Sequence, residues 1–173
     1  MKTEKLGTVW GQLIGIGSLI LVPLIIVYFV IESGPKGPTE DWGSAALVTY
    51  AIGGLTGILV CAPMFFRRQI VLSDNKLVIS HSFYTLSIAR SDVSSVTVTE
   101  LAKADELGIS TKKNGVAGFG YLSGWYNGPY GDLIFCAISS RPIYRVELDG
   151  NLRCSIIGLS CSAQMAQQIA RWV

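Results

Sequence analysis

Two textures divide the chain. Through its first third apolar residues run unbroken. No charged residue occurs in "TVWGQLIGIGSLILVPLIIVYFVI", residues 8–31, or in "GSAALVTYAIGGLTGILVCAPMFF", residues 43–66. A helix needs roughly 20 mainly apolar residues to cross a bilayer, and each stretch exceeds that. The pattern predicts two membrane spans, over about 8–31 and 43–66, joined by the polar connection "ESGPKGPTEDW". A cleaved leader would have an apolar region of only about 7–15 residues ending at a small-residue site, and "VIESG" is a poor one. Gly7, Gly11 and Gly15, and again Gly53 and Gly57, recur at four-residue spacing, which lets helix backbones approach closely. Residues 1–66 therefore read as a transmembrane helical hairpin. Neither span holds an Asp, Glu, Lys, Arg or His, so the hairpin reads as an anchor rather than a transport path.

From Arg67 onward the apolar runs are short and alternate with polar residues. "QIVLSDNKLVIS" is two runs about the turn cluster Ser73-Asp74-Asn75-Lys76 and predicts a hairpin. "FYTLSIA" and "SVTVTEL" alternate, and "DLIFCAIS" is a continuous apolar strand. "PIYRVEL", the turn "DGN" and "LRCSIIGL" predict another hairpin, with Asp149-Gly150 as the turn signal. Strands at this spacing suggest a small barrel or sandwich. The last segment changes period: Met165, Ile169, Trp172 and Val173, with Ala166 beside them, share one helical face. Ser162 is its predicted N-cap. A single amphipathic helix after the strands is expected to close the open end of the barrel.

Charge adds an orientation. Lys2 and Lys5 precede the first apolar stretch and Arg67 and Arg68 follow the second, whereas the connection carries Lys36 against Glu32, Glu40 and Asp41. The positive-inside rule then puts both termini in the cytoplasm of a multi-pass protein of the cell (inner or plasma) membrane. Residues 67–173 carry eleven Lys/Arg and eight Asp/Glu. That mild excess suits a domain near an anionic leaflet and is too small to imply nucleic-acid binding.

Four segments resemble bacterial pleckstrin-homology-like (PH-like) domain proteins. "IVLSDNKLVIS" is similar to their opening hairpin, which typically follows paired membrane helices. "YTLSIARSDVSSVTV" is similar to their next strand, turn and strand. "GISTKKNGVAGFGYLSGWY" is similar to a Gly-rich segment of one branch, and "YRVELDG" with "IIGLSCSAQMAQQIARWV" to the last hairpin and closing helix. The resemblance implies a two-helix transmembrane hairpin followed by an all-β PH-like small barrel, residues 67–173, closed by a C-terminal α-helix. It implies fold and membrane association more than a ligand, and the family has no catalytic signature. The near-neutral hairpin tip Ser73–Lys76 does not carry over phosphoinositide recognition.

"GVAGFGYLSGWYNGPYG", residues 115–131, places six glycines among five large aromatics. A dinucleotide loop needs G-x-G-x-x-G opening a helix; Gly118, Gly120 and Gly124 are spaced otherwise, with Ser123 at the third position. No nucleotide role is expected. Two readings stay open. The glycines serve strand curvature, or Trp125, Tyr126 and Tyr130, with Lys112 and Lys113, form a binding rim. Other chemistry is sparse. His81 is the one histidine, Cys61, Cys136, Cys154 and Cys161 lack C-x-x-C spacing, and Asp105, Glu106 and Asp132 show no catalytic spacing. No catalytic residue, metal or cofactor is predicted. The expected function is a membrane-anchored binding or scaffolding module at the cytoplasmic face, its partners the lipid bilayer and a protein or a second copy. The alternative is an accessory subunit of a membrane enzyme or transport complex.

Overall fold

The computed structural model describes residues 1–6, 17, 21, 24–25, 28–29, 32, 48, 51–56, 66–118 and 120–173. The chain divides into two units, Trp10–Pro63 and a second formed by Met1–Val9 with Met64–Val173.

The membrane expectation is corrected here. Most of residues 8–31 and 43–66 lies outside the described residues. Among the described residues no helix is long and apolar enough to cross a membrane. A crossing needs a continuous apolar helix of roughly 20 residues, and the described residues contain none. The transmembrane hairpin, the multi-pass placement in the cell membrane and the cytoplasmic assignment of both termini are set aside with it. The described part is instead mostly β, with ten strands in two sheets.

The first sheet has the order β1 (Lys2–Lys5), β2 (Arg68–Leu72), β3 (Lys76–His81), β4 (Tyr84–Ala89), all antiparallel. The β2–β3 turn forms where the turn cluster lies. Ser73 N–H donates to Lys76 O at 3.0 Å, and Lys76 N–H donates back to Ser73 Oγ at 3.2 Å. Leu72 then opposes Leu77 and Ile70 opposes Ile79, so period-two alternation buries all four. The sequence pattern does not reveal β1, which pairs Lys2 with Leu72 across a long chain separation.

The second sheet has the order β5 (Val93–Leu101), β9 (Ile143–Gly150), β10 (Ile156–Ser160), β8 (Leu133–Ile138), β7 (Tyr121–Asn127), β6 (Thr111–Gly118). β8 and β10 run parallel; the other neighbours are antiparallel. No described strand joins the two sheets, so they form an open pair rather than a closed barrel. Their inner faces share one core: Ile70, Ile79, Leu86 and Ile88 meet Phe135, Val146, Ile157 and Leu159. The outer face of β8 is covered too. Ile134, Cys136 and Ile138 pack with Leu107 and Tyr126 in a second cluster. Burial on both faces is why this strand reads as continuously apolar.

Asp149-Gly150 is not the tight turn expected. Gly150 lies in β9 opposite Val93, at φ +144°, and a Cβ there would collide with Asp92 O. The connection to β10 follows it, over residues 151–155. Helix α1 (Ala163–Ala170) forms as the period predicts, with the Ser162 side chain accepting from Met165 N–H at 3.2 Å. Met165, Ala166, Ile169 and Trp172 enter the main core, while Val173 is exposed.

Candidate functional site

The β6–β7 hairpin contains the glycine-rich stretch, and its register explains the composition. Gly115 lies directly opposite Gly124. A Cβ at Gly115 would sit 3.0 Å from the Tyr126 ring and hydroxyl; one at Gly124 would sit 2.9 Å from the Tyr84 ring and 2.6 Å from Asn114 O. The paired glycines thus make room for an aromatic ring at each position. Gly124 also holds φ +106° and Gly120, beside the turn, φ +73°, conformations a Cβ disfavours. The Tyr126 hydroxyl donates to Val116 O at 2.8 Å, and the Tyr84 hydroxyl to Asn114 Oδ1 at 2.9 Å. Curvature and close aromatic packing account for these glycines.

The five rim residues divide accordingly. Tyr126 is 2% exposed and belongs to the second core cluster. Burial, and the neighbouring Cys136 thiol after it, push its phenol up to about 12. Trp125 is half-buried and meets Phe135 edge-on, with centroids 4.9 Å apart. Neither is a free rim group. Lys112, Lys113 and Tyr130 are exposed, Tyr130 by 93%. These three lie toward one end of the sheet. Ser110 Oγ contacts Asn127 O at 2.9 Å and Gly128 O at 3.0 Å, tying the start of β6 to the turn that carries Tyr130. Asp105, Glu106 and Asp132 are individually exposed. Among the described residues no three His, Cys, Asp or Glu side chains gather where they could hold a metal.

A buried polar cluster lies between the sheets, and sequence reasoning missed it. Arg68, His81, Ser82, Tyr121 and Ser123 are all at most 3% exposed. His81 stacks on Tyr121 with centroids 4.9 Å apart, and the Arg68 guanidinium lies 5.4 Å from the same ring, within cation–π range. Ser123 Oγ–H donates to His81 O at 2.9 Å, joining β7 to β3. Among the described residues, both ring nitrogens of His81, the Ser82 hydroxyl and the Tyr121 hydroxyl have no hydrogen-bond partner. Burial, then the Arg68 charge, lowers His81 to about 3, so its ring is neutral near pH 7. Burial raises the Tyr121 phenol; the Ser82 and Ser123 hydroxyls temper that rise without a bond of ordinary geometry to it. Ser82 holds φ +55°, strained for a residue with a Cβ. One part was legible: the hairpin register about Ser73–Lys76 places Arg68 opposite His81. The arrival of Tyr121 from β7 was not.

Burial raises the thiols of Cys136, Cys154 and Cys161, the last to about 12, which leaves them poor nucleophiles. A surface recess of about 370 Å³ beside Trp172 is lined in part by Lys2, Asp74, Arg90 and Arg171. None of the buried unpaired polar atoms belongs to it.

Comparison with protein-family models, with curated proteins and with solved structures gives no match for this chain.

Proposed function

We propose that the protein is a non-catalytic binding or scaffolding module, and that it engages a protein partner at the β6 end of the six-stranded sheet. The observation carrying this reading is the exposure of Tyr130, at 93%, toward the same end of the sheet as the exposed Lys112 and Lys113 of its terminal strand. An exposed Tyr is a side-chain type enriched among interface anchors, and the two lysines set the charge that a partner meets at this end of the sheet.

The test is crosslinking in native extract with a photoreactive residue at Tyr130, compared with one at the exposed Phe83 on the other sheet. A discrete adduct specific to position 130, diminished by Lys112→Glu with Lys113→Glu, is the expected result. Indistinguishable adduct patterns at the two positions would remove this surface as the binding site.

A further inference from the structure

We infer that the outer edge of β6 accepts an extended acidic segment of a partner protein as an added strand. The inference rests on the binding reading above and specifies its partner class. β6 is the terminal strand of its sheet, bonded to β7 on one side and to no described strand on the other. Such an edge presents a row of unpaired N–H and C=O groups. Thr111–Asn114, Ala117 and Gly118 are exposed, and Gly115 and Val116 are half-buried. The opposite edge strand, β5, lies beside α1 instead.

The edge is held in place before a partner arrives. Tyr126 bonds Val116 O, Tyr84 bonds Asn114 Oδ1, and Asn127 Nδ2 donates to Thr111 Oγ1 at 3.1 Å. A partner strand would therefore not have to order it. Along Asn114–Gly118 the side chains are small apart from Asn114 and Val116, so the backbone is approachable. At the other end the register shifts between Lys112 and Asn114, making Lys113 the extra residue of a bulge. Edge lysines and a bulge blunt a strand against indiscriminate pairing, and carboxylates on an incoming strand offset the lysine charge at this end. No acid occurs between Glu106 and Asp132 to neutralise them within this hairpin. A strand with carboxylates at the lysine end meets an attraction that a neutral strand lacks, so charge selects the partner.

The full chain is to be titrated with a labelled eight-residue peptide alternating Val and Thr, with two Glu at one end. Controls carry Gln for Glu, or Pro at the centre. The Glu peptide is expected to bind, to slow amide exchange at Asn114–Gly118, and to weaken with added salt. The Gln peptide should bind roughly 10-fold or more weakly, and the Pro peptide should fail because it cannot complete the ladder. Lys112→Glu with Lys113→Glu, both at exposed positions, should abolish the preference for Glu without altering the thermal melt. Equal binding of the Glu and Gln peptides overturns the acidic class. Protection of Asn114–Gly118 in a sedimenting dimer without peptide overturns it in favour of a second copy. If no peptide binds but the Tyr130 crosslink persists, strand addition falls and the binding reading stands. If the crosslink is absent too, both fall.

Discussion

Gly124 is the residue where side-chain absence matters most. Its φ of +106° and the 2.6 Å approach of Asn114 O leave no site for a Cβ, whereas Gly120, at φ +73°, faces open space. Gly120→Ala therefore carries backbone strain alone and should cost about 1 kcal/mol. Gly124→Ala adds overpacking to strain and should cost roughly 3 kcal/mol or more. Urea unfolding midpoints of the two variants measure the gap; equal midpoints would show that the β6–β7 contact yields freely. His81 makes a pH argument at the same scale. Its folded pKa is about 3, below the usual 6.5. Between those values the unfolded chain binds a proton that the folded chain does not, so stability falls as pH drops from about 6.5 toward 3. His81→Phe keeps a ring against Tyr121 and removes two unpaired nitrogens. It should flatten that part of the pH–stability profile and leave the neutral-pH melt unchanged or higher. A marked loss at neutral pH would instead show that the nitrogens are bonded in solution, for instance to an internal water.

At the scale of elements, the two chain ends are fastened to each other. Glu4 on β1 accepts from Ser162 N–H and Ser162 Oγ–H, each at 2.7 Å, where Ser162 caps α1. A carboxylate there also faces the positive end of the helix. Glu4→Gln should cost about 1–2 kcal/mol and speed amide exchange in β1 and the first turn of α1 together. Faster exchange in only one of them would mean the two are not coupled. Beyond the helix, Trp172 is 6% exposed and its Nε1–H donates to Ser73 O at 2.7 Å. Trp172→Ala should cost about 3–5 kcal/mol. Trp172→Phe retains most of the packing and loses that bond, so about 1 kcal/mol is expected beyond the ring-size change. Thermal melts of both variants check the order, and identical losses would place the whole effect in the hydrogen bond.

For the whole molecule, connectivity governs how the core assembles. β5 pairs with β9 rather than β6, β8 runs parallel to β10, and β1 joins a strand beginning at Arg68. Each pairing closes a long stretch of chain before its contacts form. Domains dominated by such pairings fold in milliseconds to seconds. Stopped-flow refolding from urea should therefore show a main phase in that range; completion in microseconds would contradict the pairing order.

Much of the local structure was legible along the chain. The β2–β3 hairpin followed from a polar turn between two alternating runs, and β8 from its apolar continuity. α1 followed from the spacing of Met165 and Ile169 after Ser162, though it ends before Trp172 and Val173, which the period also placed on its face. These features arise from neighbours within a few residues, which is the range over which side-chain period and turn chemistry act. The apolar stretches at 8–31 and 43–66 were overread: hydropathy reports composition, not whether a continuous spanning helix forms, and none does among the described residues. Of the five expected rim residues, Lys112, Lys113 and Tyr130 are exposed, while Tyr126 is in the core and Trp125 lies half-buried against it. Alternation along β7 separates the two faces of a strand, but here both faces are covered, one by the opposing sheet and one by the Leu107 segment. Which strand neighbours which, that Tyr121 reaches His81, and that Gly150 pairs closely with Val93 rather than forming a turn all depend on residues distant in sequence. Only the packed sheets bring those residues together.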